Sequence, residues 1–287
     1  MRPDNLKTKI FLDSGDPTDT RETLEFLGFL DGQTTNPSLI ANSPKVQERI
    51  GRDEKFTRAE INALYKSIVK EVSNLIPEGS VSVEVYADNK SKVKELYDAG
   101  YQMFGWIPNA HIKLPITKAG LSVAKKFTKE NIRTNLTLCF SQSQAAAVYA
   151  ATKGGQPGDV FISPFIGRLD DIGFNGLDLL ANILKIYAKS DRHVQVVAAS
   201  IRTIDHFMMA LKLGADIITA PKRILKQWAD MDKMLPDDNW LPKLETRQPI
   251  PYQSQKLNLP AKEYDIKHEL TDKGLARFAD DWNRLIK

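Results

Sequence analysis

The run Asn109-Ala110-His111-Ile112-Lys113-Leu114-Pro115-Ile116 holds one ammonium in an otherwise apolar stretch. Lysine is almost never buried without compensation, because taking an unpaired charge out of water is expensive. Lys113 is therefore either a snorkelling residue on an edge strand or a group whose setting is its purpose. Other polar residues interrupt apolar runs in the same manner. Asp13 closes Lys-Ile-Phe-Leu-Asp, Glu84 sits inside Val-Ser-Val-Glu-Val-Tyr-Ala, and Asn135 and Thr137 alternate with leucines. Thr35 and Asn36, Ser163, and Ser200 end or follow three further runs, with Arg168 and Arg202 just beyond two of them.

These types allow a definite chemistry. An amine among apolar neighbours, or beside other cations, has its charged form disfavoured and becomes a better nucleophile. Attack on a ketone gives a Schiff base, an electron sink for breaking the adjacent carbon–carbon bond. Two carboxylates, Asp13 and Glu84, can move protons during that chemistry. The amides and hydroxyls of Asn36, Asn135, Thr137 and Ser163 suit a polyhydroxy substrate. Arg168, Ser200 and Arg202 suit an anionic group such as a phosphate, which the arginine fork fits.

The elements that must position these groups are legible as alternation. Eight short runs rich in apolar and β-branched residues span 9–13, 32–36, 81–87, 110–116, 135–140, 160–166, 194–200 and 216–221, and amphipathic segments separate them. Val93, Leu96 and Tyr97 share a helical face, with Gly100 expected to close that helix. Ser141-x-x-Gln144 opens an Ala-rich helix with a capping box. Ile204, Phe207, Met208 and Leu211 keep helical spacing up to Gly214. The pattern predicts an α/β fold, a (β/α)8 TIM barrel; a doubly wound open sheet is the alternative, unsupported by any G-x-G-x-x-G or P-loop pattern. Barrel active sites lie at the C-terminal ends of the strands, where the polar residues above fall.

Two stretches exceed a minimal barrel. Residues 41–80 carry a long helix opening at the box Thr57-x-x-Glu60, with Ile61, Leu64, Ile68, Val72 and Leu75 along one face. Residues 236–262 contain five prolines and little periodicity, which reads as a surface-wrapping segment. Residues 271–287 regain a helix whose stripe, Leu275, Phe278, Ala279, Trp282, Leu285 and Ile286, is expected to pack on its own domain. The expected organisation is one domain over 1–287, with the barrel core at 9–235 and the wrapping segment and final helix at 236–287.

Composition excludes other classes. Lys and Arg total 40 against 36 Asp and Glu, a net charge of +4, and the two signs are interspersed, so no nucleic-acid surface is expected. A single cysteine, Cys139, excludes an intrachain disulfide framework and fits a cytoplasmic protein. The start Met-Arg-Pro-Asp-Asn-Leu-Lys lacks a signal-peptide core and no apolar run is long enough to span a membrane. His111, His193, His206 and His268 form no metal-ligand spacing, so neither metal nor cofactor is expected. Cys139 reads as a small apolar packer.

Each polar residue also has a bland reading: Asp13 could organise the turn Ser14-Gly15-Asp16-Pro17, Asn36 could only cap ahead of Pro37, and Arg168 could pair with Asp170 or Asp171. Arg202 is ambiguous in the same way. The linked motifs outweigh these readings. Thr-Thr-Asn-Pro-Ser-Leu-Ile at 34–40, the lysine strand, Asn-Leu-Thr-Leu-Cys-Phe-Ser-Gln-Ser-Gln-Ala at 135–145, Ile-Ser-Pro-Phe-Ile-Gly-Arg-Leu-Asp-Asp at 162–171 and Ala-Ala-Ser-Ile-Arg at 198–202 resemble the transaldolase family, in order and spacing, over residues 9–221.

The resemblance implies a class I aldolase-type barrel of carbohydrate metabolism, in the pentose phosphate pathway. Such an enzyme transfers a dihydroxyacetone unit from a ketose phosphate to an aldose phosphate. It implies Lys113 as the Schiff-base lysine, and Asp13 and Glu84 as acid/base carboxylates, Glu84 acting through a water that Thr137 positions. Asn36, Asn135 and Ser163 then hold the dihydroxyacetone moiety, and Arg168, Ser200 and Arg202 the phosphate. Related aldolases, which release free dihydroxyacetone, carry tyrosine where Phe165 stands and glutamine where Glu84 stands; this chain has the transfer-type pair. The alternatives are such a fructose-6-phosphate aldolase and a non-catalytic sugar-phosphate-binding barrel. The expected partners are phosphorylated sugars and further copies of the chain, with no nucleic acid or membrane.

Overall fold

The computed structural model describes residues 1–243 and 245–287. Among them, eight parallel strands close into a barrel in sequence order. They are β1 (Lys9–Asp13), β2 (Gly32–Thr34), β3 (Ser80–Glu84), β4 (Ala110–Pro115), β5 (Thr134–Cys139), β6 (Val160–Pro164), β7 (Val194–Ala198) and β8 (Ile217–Ala220). Between and after them come α1 (Pro17–Leu27), α2 (Pro37–Ala41), α3 (Pro44–Ile50), α4 (Arg58–Leu75), α5 (Val93–Phe104) and α6 (Lys118–Lys129). The remaining helices are α7 (Gln142–Ala151), α8 (Ile166–Asp170), α9 (Gly176–Tyr187), α10 (Ile204–Lys212), α11 (Lys222–Asp230) and α12 (Glu269–Asn283). The (β/α)8 TIM barrel expected from the alternation is the observed fold. The strands read apolar on both faces because helices cover the outside while side chains fill the inside.

Local chemistry sets the helix starts. Asp16 caps α1 ahead of Pro17, accepting the Thr18 N–H at 2.9 Å. Thr57 and Glu60 form the reciprocal box of α4, and Ser141 and Gln144 that of α7. One expected stop is corrected: Gly100 lies inside α5, which runs on to Phe104. A Cβ there would stand 2.8 Å from the Phe127 ring and 3.0 Å from Ile112, so this glycine lets α5 lie close against α6 and β4 instead of ending the helix.

The segment ahead of β3 and the chain's end pack on one another. On α4 the buried face is Ile61, Tyr65, Ile68, Val69 and Val72, centred slightly off the expected stripe, with Leu64 and Leu75 only half buried. The α12 stripe buries Leu275, Phe278, Ala279 and Trp282 against the chain's own barrel and α2. Phe56 bonds back to the end of the chain, donating to Leu285 O at 2.8 Å and accepting from Lys287 N at 2.9 Å. The proline-rich segment wraps α7 and α9: Gln142 bonds the Pro251 carbonyl at 2.9 Å, and Asn182 the Ile250 carbonyl at 2.9 Å.

Candidate active site

Strand β4 carries Lys113 inward, 3% exposed, so the edge-strand reading does not hold. Parallel register sets Glu84 of β3 and Asn135 of β5 beside it. Lys113 Nζ lies 3.0 Å from Glu84 Oε2 and donates to the Thr35 carbonyl at 3.2 Å. The contact with Glu84 is an ion pair by distance but off the hydrogen-bonding direction, and Oε2 has no hydrogen-bond donor among the described residues. Burial raises the Glu84 pKa above the ordinary carboxylate range, against the opposing pull of Lys113 and Arg168.

Asp13, at the end of β1, is raised by burial as well, opposed by Lys113, the Thr34 hydrogen bond and the two arginines Arg168 and Arg202. Thr34 donates to Asp13 Oδ1 at 2.7 Å and lies 2.6 Å from the Thr219 hydroxyl. The turn after β1 is organised by others: Asp16 caps α1, and Ser14 bonds Asp19 at 2.6 Å. Beside Lys113, Ser163 donates to Asn135 Oδ1 at 2.7 Å while Asn135 Nδ2 donates to Ser82 at 3.0 Å. Thr137 is fully buried, and its hydroxyl has no partner among the described residues.

Thr137 precedes an irregular step in its strand. The β5–β6 register shifts between Leu136 and Cys139, and Leu138 sits in the left-handed region at φ 62°. A bulky residue adopts that conformation only where its surroundings impose it. Thr271 of α12 donates to the Leu138 carbonyl at 3.0 Å, and Gln144 holds Thr271 at 2.8 Å.

These strand ends open into a pocket of about 360 Å³. Asp13, Asn36, Lys113, Ser163 and Phe165 line its inner part, and Arg168, Ser200 and Arg202 its mouth; Glu84, Asn135 and Thr137 are buried in the strands beside it and do not line it. All eleven expected residues therefore gather at the C-terminal end of the barrel. Asn36 fulfils its bland reading too, since its Oδ1 caps α2 through the Leu39 N–H at 2.9 Å.

The arginines differ. Arg168 has no ion pair or hydrogen bond among the described residues; its guanidinium lies between the rings of Phe165 and Phe278, 5.0 and 5.1 Å from their centroids. Burial and the neighbouring Arg277 push it down to about 10. Asp170 is engaged elsewhere, 2.7 Å from His206 Nε2. Arg202 does pair, with the half-exposed Asp171 at 3.0 Å, and its backbone N–H donates to His206 Nδ1 at 3.3 Å. Ser200 holds φ 59°, and its carbonyl accepts the Gly167 N–H at 3.0 Å.

Sequence reasoning missed Thr34, Thr219, Arg223 and Arg277, which also line the pocket. Thr219 carried a signal, being the polar interruption of the eighth run. Arg277 carried none, because it flanks an ordinary amphipathic stripe. Cys139 is the expected packer: buried, its thiol pushed up to about 12 by desolvation.

A buried amine–carboxylate pair under a cationic mouth is suited to covalent capture of a carbonyl on an anionic substrate. The family model described as transaldolase/fructose-6-phosphate aldolase matches residues 10–287. The chain belongs to this family. The match takes in 41–80 and 236–262, so both stretches set apart in the sequence lie within the family's span. A probable transaldolase of Paracoccus denitrificans is 36% identical over 274 residues, 96% of each chain. One of Dehalococcoides mccartyi is 33% identical over 279 residues, 97% of this chain and 100% of its own. A solved thiamine phosphate pyrophosphorylase from Pyrococcus furiosus gives a TM-score of 0.46 at 15% identity, over 79% of this chain and 97% of its own, too distant to bear on the reaction. No described helix is long and apolar enough to cross a membrane, and no group of His, Cys, Asp and Glu among the described residues is arranged to hold a metal ion.

Proposed function

We propose that this chain is a transaldolase, moving a dihydroxyacetone unit from sedoheptulose 7-phosphate or fructose 6-phosphate to an aldose phosphate through a Schiff base on Lys113. The observation that carries the proposal is Lys113 Nζ, buried at the pocket floor, 3.0 Å from a carboxylate of raised pKa and 3.2 Å from a carbonyl that orients it. Lys113 gives a proton to Glu84 and attacks the ketose C2 carbonyl. Loss of water leaves the imine, and Asp13 then takes the proton of the C4 hydroxyl as the C3–C4 bond breaks. The electron pair remains as an enamine on Lys113 until an acceptor aldehyde takes it. Asn36, Asn135 and Ser163 orient the dihydroxyacetone hydroxyls. The unpartnered hydroxyl of Thr137 and Oε2 of Glu84 are free to hold the water that carries the proton. Arg168, which has no counter-ion among the described residues, receives the phosphate with Ser200 and Arg202.

Transfer requires that the enamine not be protonated while it waits. Phe165 lies 7% exposed against Phe140 and supplies no proton at the pocket wall. Borohydride added with fructose 6-phosphate should fix an adduct that mass mapping assigns to Lys113. Free dihydroxyacetone should be negligible until erythrose 4-phosphate is supplied, and then transfer should be fast. Phe165→Tyr should raise cleavage at the expense of transfer, since a phenol can act as general acid. Wild-type protein releasing dihydroxyacetone equally fast without acceptor would make it an aldolase instead; an adduct on another lysine would overturn the site.

A further inference from the structure

We infer that Tyr65, on α4 outside the barrel, is a positioning residue for Lys113 that acts through Thr35 and Glu84. The inference rests on the reading of Lys113 as nucleophile. The Tyr65 hydroxyl lies 2.6 Å from Thr35 Oγ1 and accepts the Glu84 backbone N–H at 2.9 Å. Thr35 Oγ1 donates its single proton to the Ser82 carbonyl at 2.7 Å, because a carbonyl can only accept. The phenol must therefore give its own proton to Thr35. The order Glu84 N–H to Tyr65, Tyr65 O–H to Thr35, and Thr35 O–H to Ser82 admits no alternative.

The two residues so joined are the ones that hold the amine. Lys113 Nζ touches the Thr35 carbonyl at 3.2 Å and Glu84 Oε2 at 3.0 Å. Neither is secured by the ladder alone. The ladder runs from Ser80 N–H to the Asp31 carbonyl and from Thr35 N–H to the Ser82 carbonyl, a spacing that would next bring Glu84 N–H to the Thr35 carbonyl; that carbonyl accepts Lys113 instead, and the phenol takes the Glu84 N–H. The ring itself cannot swing, being 1% exposed and set edge-on to Trp106 and Trp282, with centroids 5.7 and 5.9 Å away. Through it, the segment ahead of β3 and the C-terminal helix both fix the placement of the nucleophile.

The test sets Tyr65→Phe against Tyr187→Phe. Tyr187 is a matched control, 4% exposed, whose hydroxyl donates to the Ala145 carbonyl at 2.7 Å and touches nothing in the site. Both variants should lower the melting temperature. Tyr65→Phe alone should slow kcat and the rate of borohydride trapping at saturating fructose 6-phosphate, by about 10- to 100-fold with KM little changed, the scale of a misplaced reacting group. If the two variants keep equal kcat and trapping rates, Tyr65 only supports the fold and the inference is wrong. Should Tyr65→Phe not fold, Thr35→Val, which removes the acceptor of the phenol and keeps the backbone carbonyl, meets the same two outcomes. Absence of any adduct on wild-type Lys113 would instead defeat the reaction assigned above, a separate failure.

Discussion

Two residues along a strand separate two different interiors in this barrel. Phe11, Phe161, Val197 and Ile217 fill one layer as a closed apolar cluster. A step of two toward the C-terminal ends replaces Phe11 by Asp13, Phe161 by Ser163 and Ile217 by Thr219; on β4 the same step leads from His111 to Lys113. His111 shows how the lower layer treats a titratable group. It stacks on Phe161 at 4.0 Å between centroids, and burial pushes it down to about 3, so it is neutral. Both its nitrogens are engaged, Nδ1 with Ser80 at 2.7 Å and Nε2 with the Gly158 carbonyl at 2.8 Å. The upper layer leaves hydrogen-bonding capacity open at Glu84, Thr137 and Arg168. Each phenylalanine below is worth about 1.5–3 kcal/mol of burial, whereas the charges above are desolvated and oppose folding. The lower layer stabilises the barrel that the upper layer strains.

The largest expected effect of breaking this contrast is at β4. Lys113→Met should reduce transfer by about 10⁴-fold or more and abolish borohydride-trapped adduct, with a native circular dichroism spectrum. His111→Phe should do the reverse, keeping turnover per folded molecule while losing about 1–3 kcal/mol of stability in denaturant melts from two orphaned partners. Comparable loss of turnover in both variants would erase the distinction between the layers.

The pH dependence sharpens it next. Burial raises the pKa values of Asp13 and Glu84 above their ordinary ones, so the acid limb of kcat should stand above the ordinary carboxylate range. Below that limb the rate should fall by about tenfold per pH unit. The folded state binds these protons more tightly than the unfolded chain, so the stability these two groups contribute is full below their unfolded values. It is lost as pH rises through the raised ones. Activity and this stability term should thus move in opposite directions, measurable by rates and melts across one pH series.

At the mouth, Arg168→Ala should raise KM for phosphorylated sugars by about 10- to 100-fold, from loss of a charge-assisted pair, and leave unphosphorylated substrates nearly unchanged. Equal losses on both substrates would remove the phosphate role. The smallest effect is expected at Gly274 of α12. A Cβ there would lie 2.5 Å from the Arg168 guanidinium and 2.7 Å from Leu138. Gly274→Ala should displace Arg168 and raise KM a few-fold, with kcat kept, in steady-state kinetics.

Much of the architecture was readable because it repeats locally. Short apolar and β-branched runs marked the strands and helical spacing the segments between them, and the capping boxes at Thr57 and Ser141 were read from four residues each. Gly100 misled because the same residue that ends helices also permits close packing, and only the neighbouring Phe127 and Ile112 distinguish the two. Arg277 was invisible, since its part in the pocket depends on how α12 docks. Leu138 gave no hint of its left-handed backbone, which the β5–β6 slip and Thr271 impose from outside the strand.

By itself, then, the sequence determined the alternation of strands and helices and the strand ends at which polar groups would gather. These follow from short-range geometry. Tertiary structure alone decided what each polar group meets: Lys113 finds the Thr35 carbonyl 78 residues away, and Thr34 finds Thr219 across 185. The pairing of β2, β3 and β4 sets the first encounter and the closure of β1 on β8 the second, and a chain read locally holds no record of which distant partner will satisfy a buried charge.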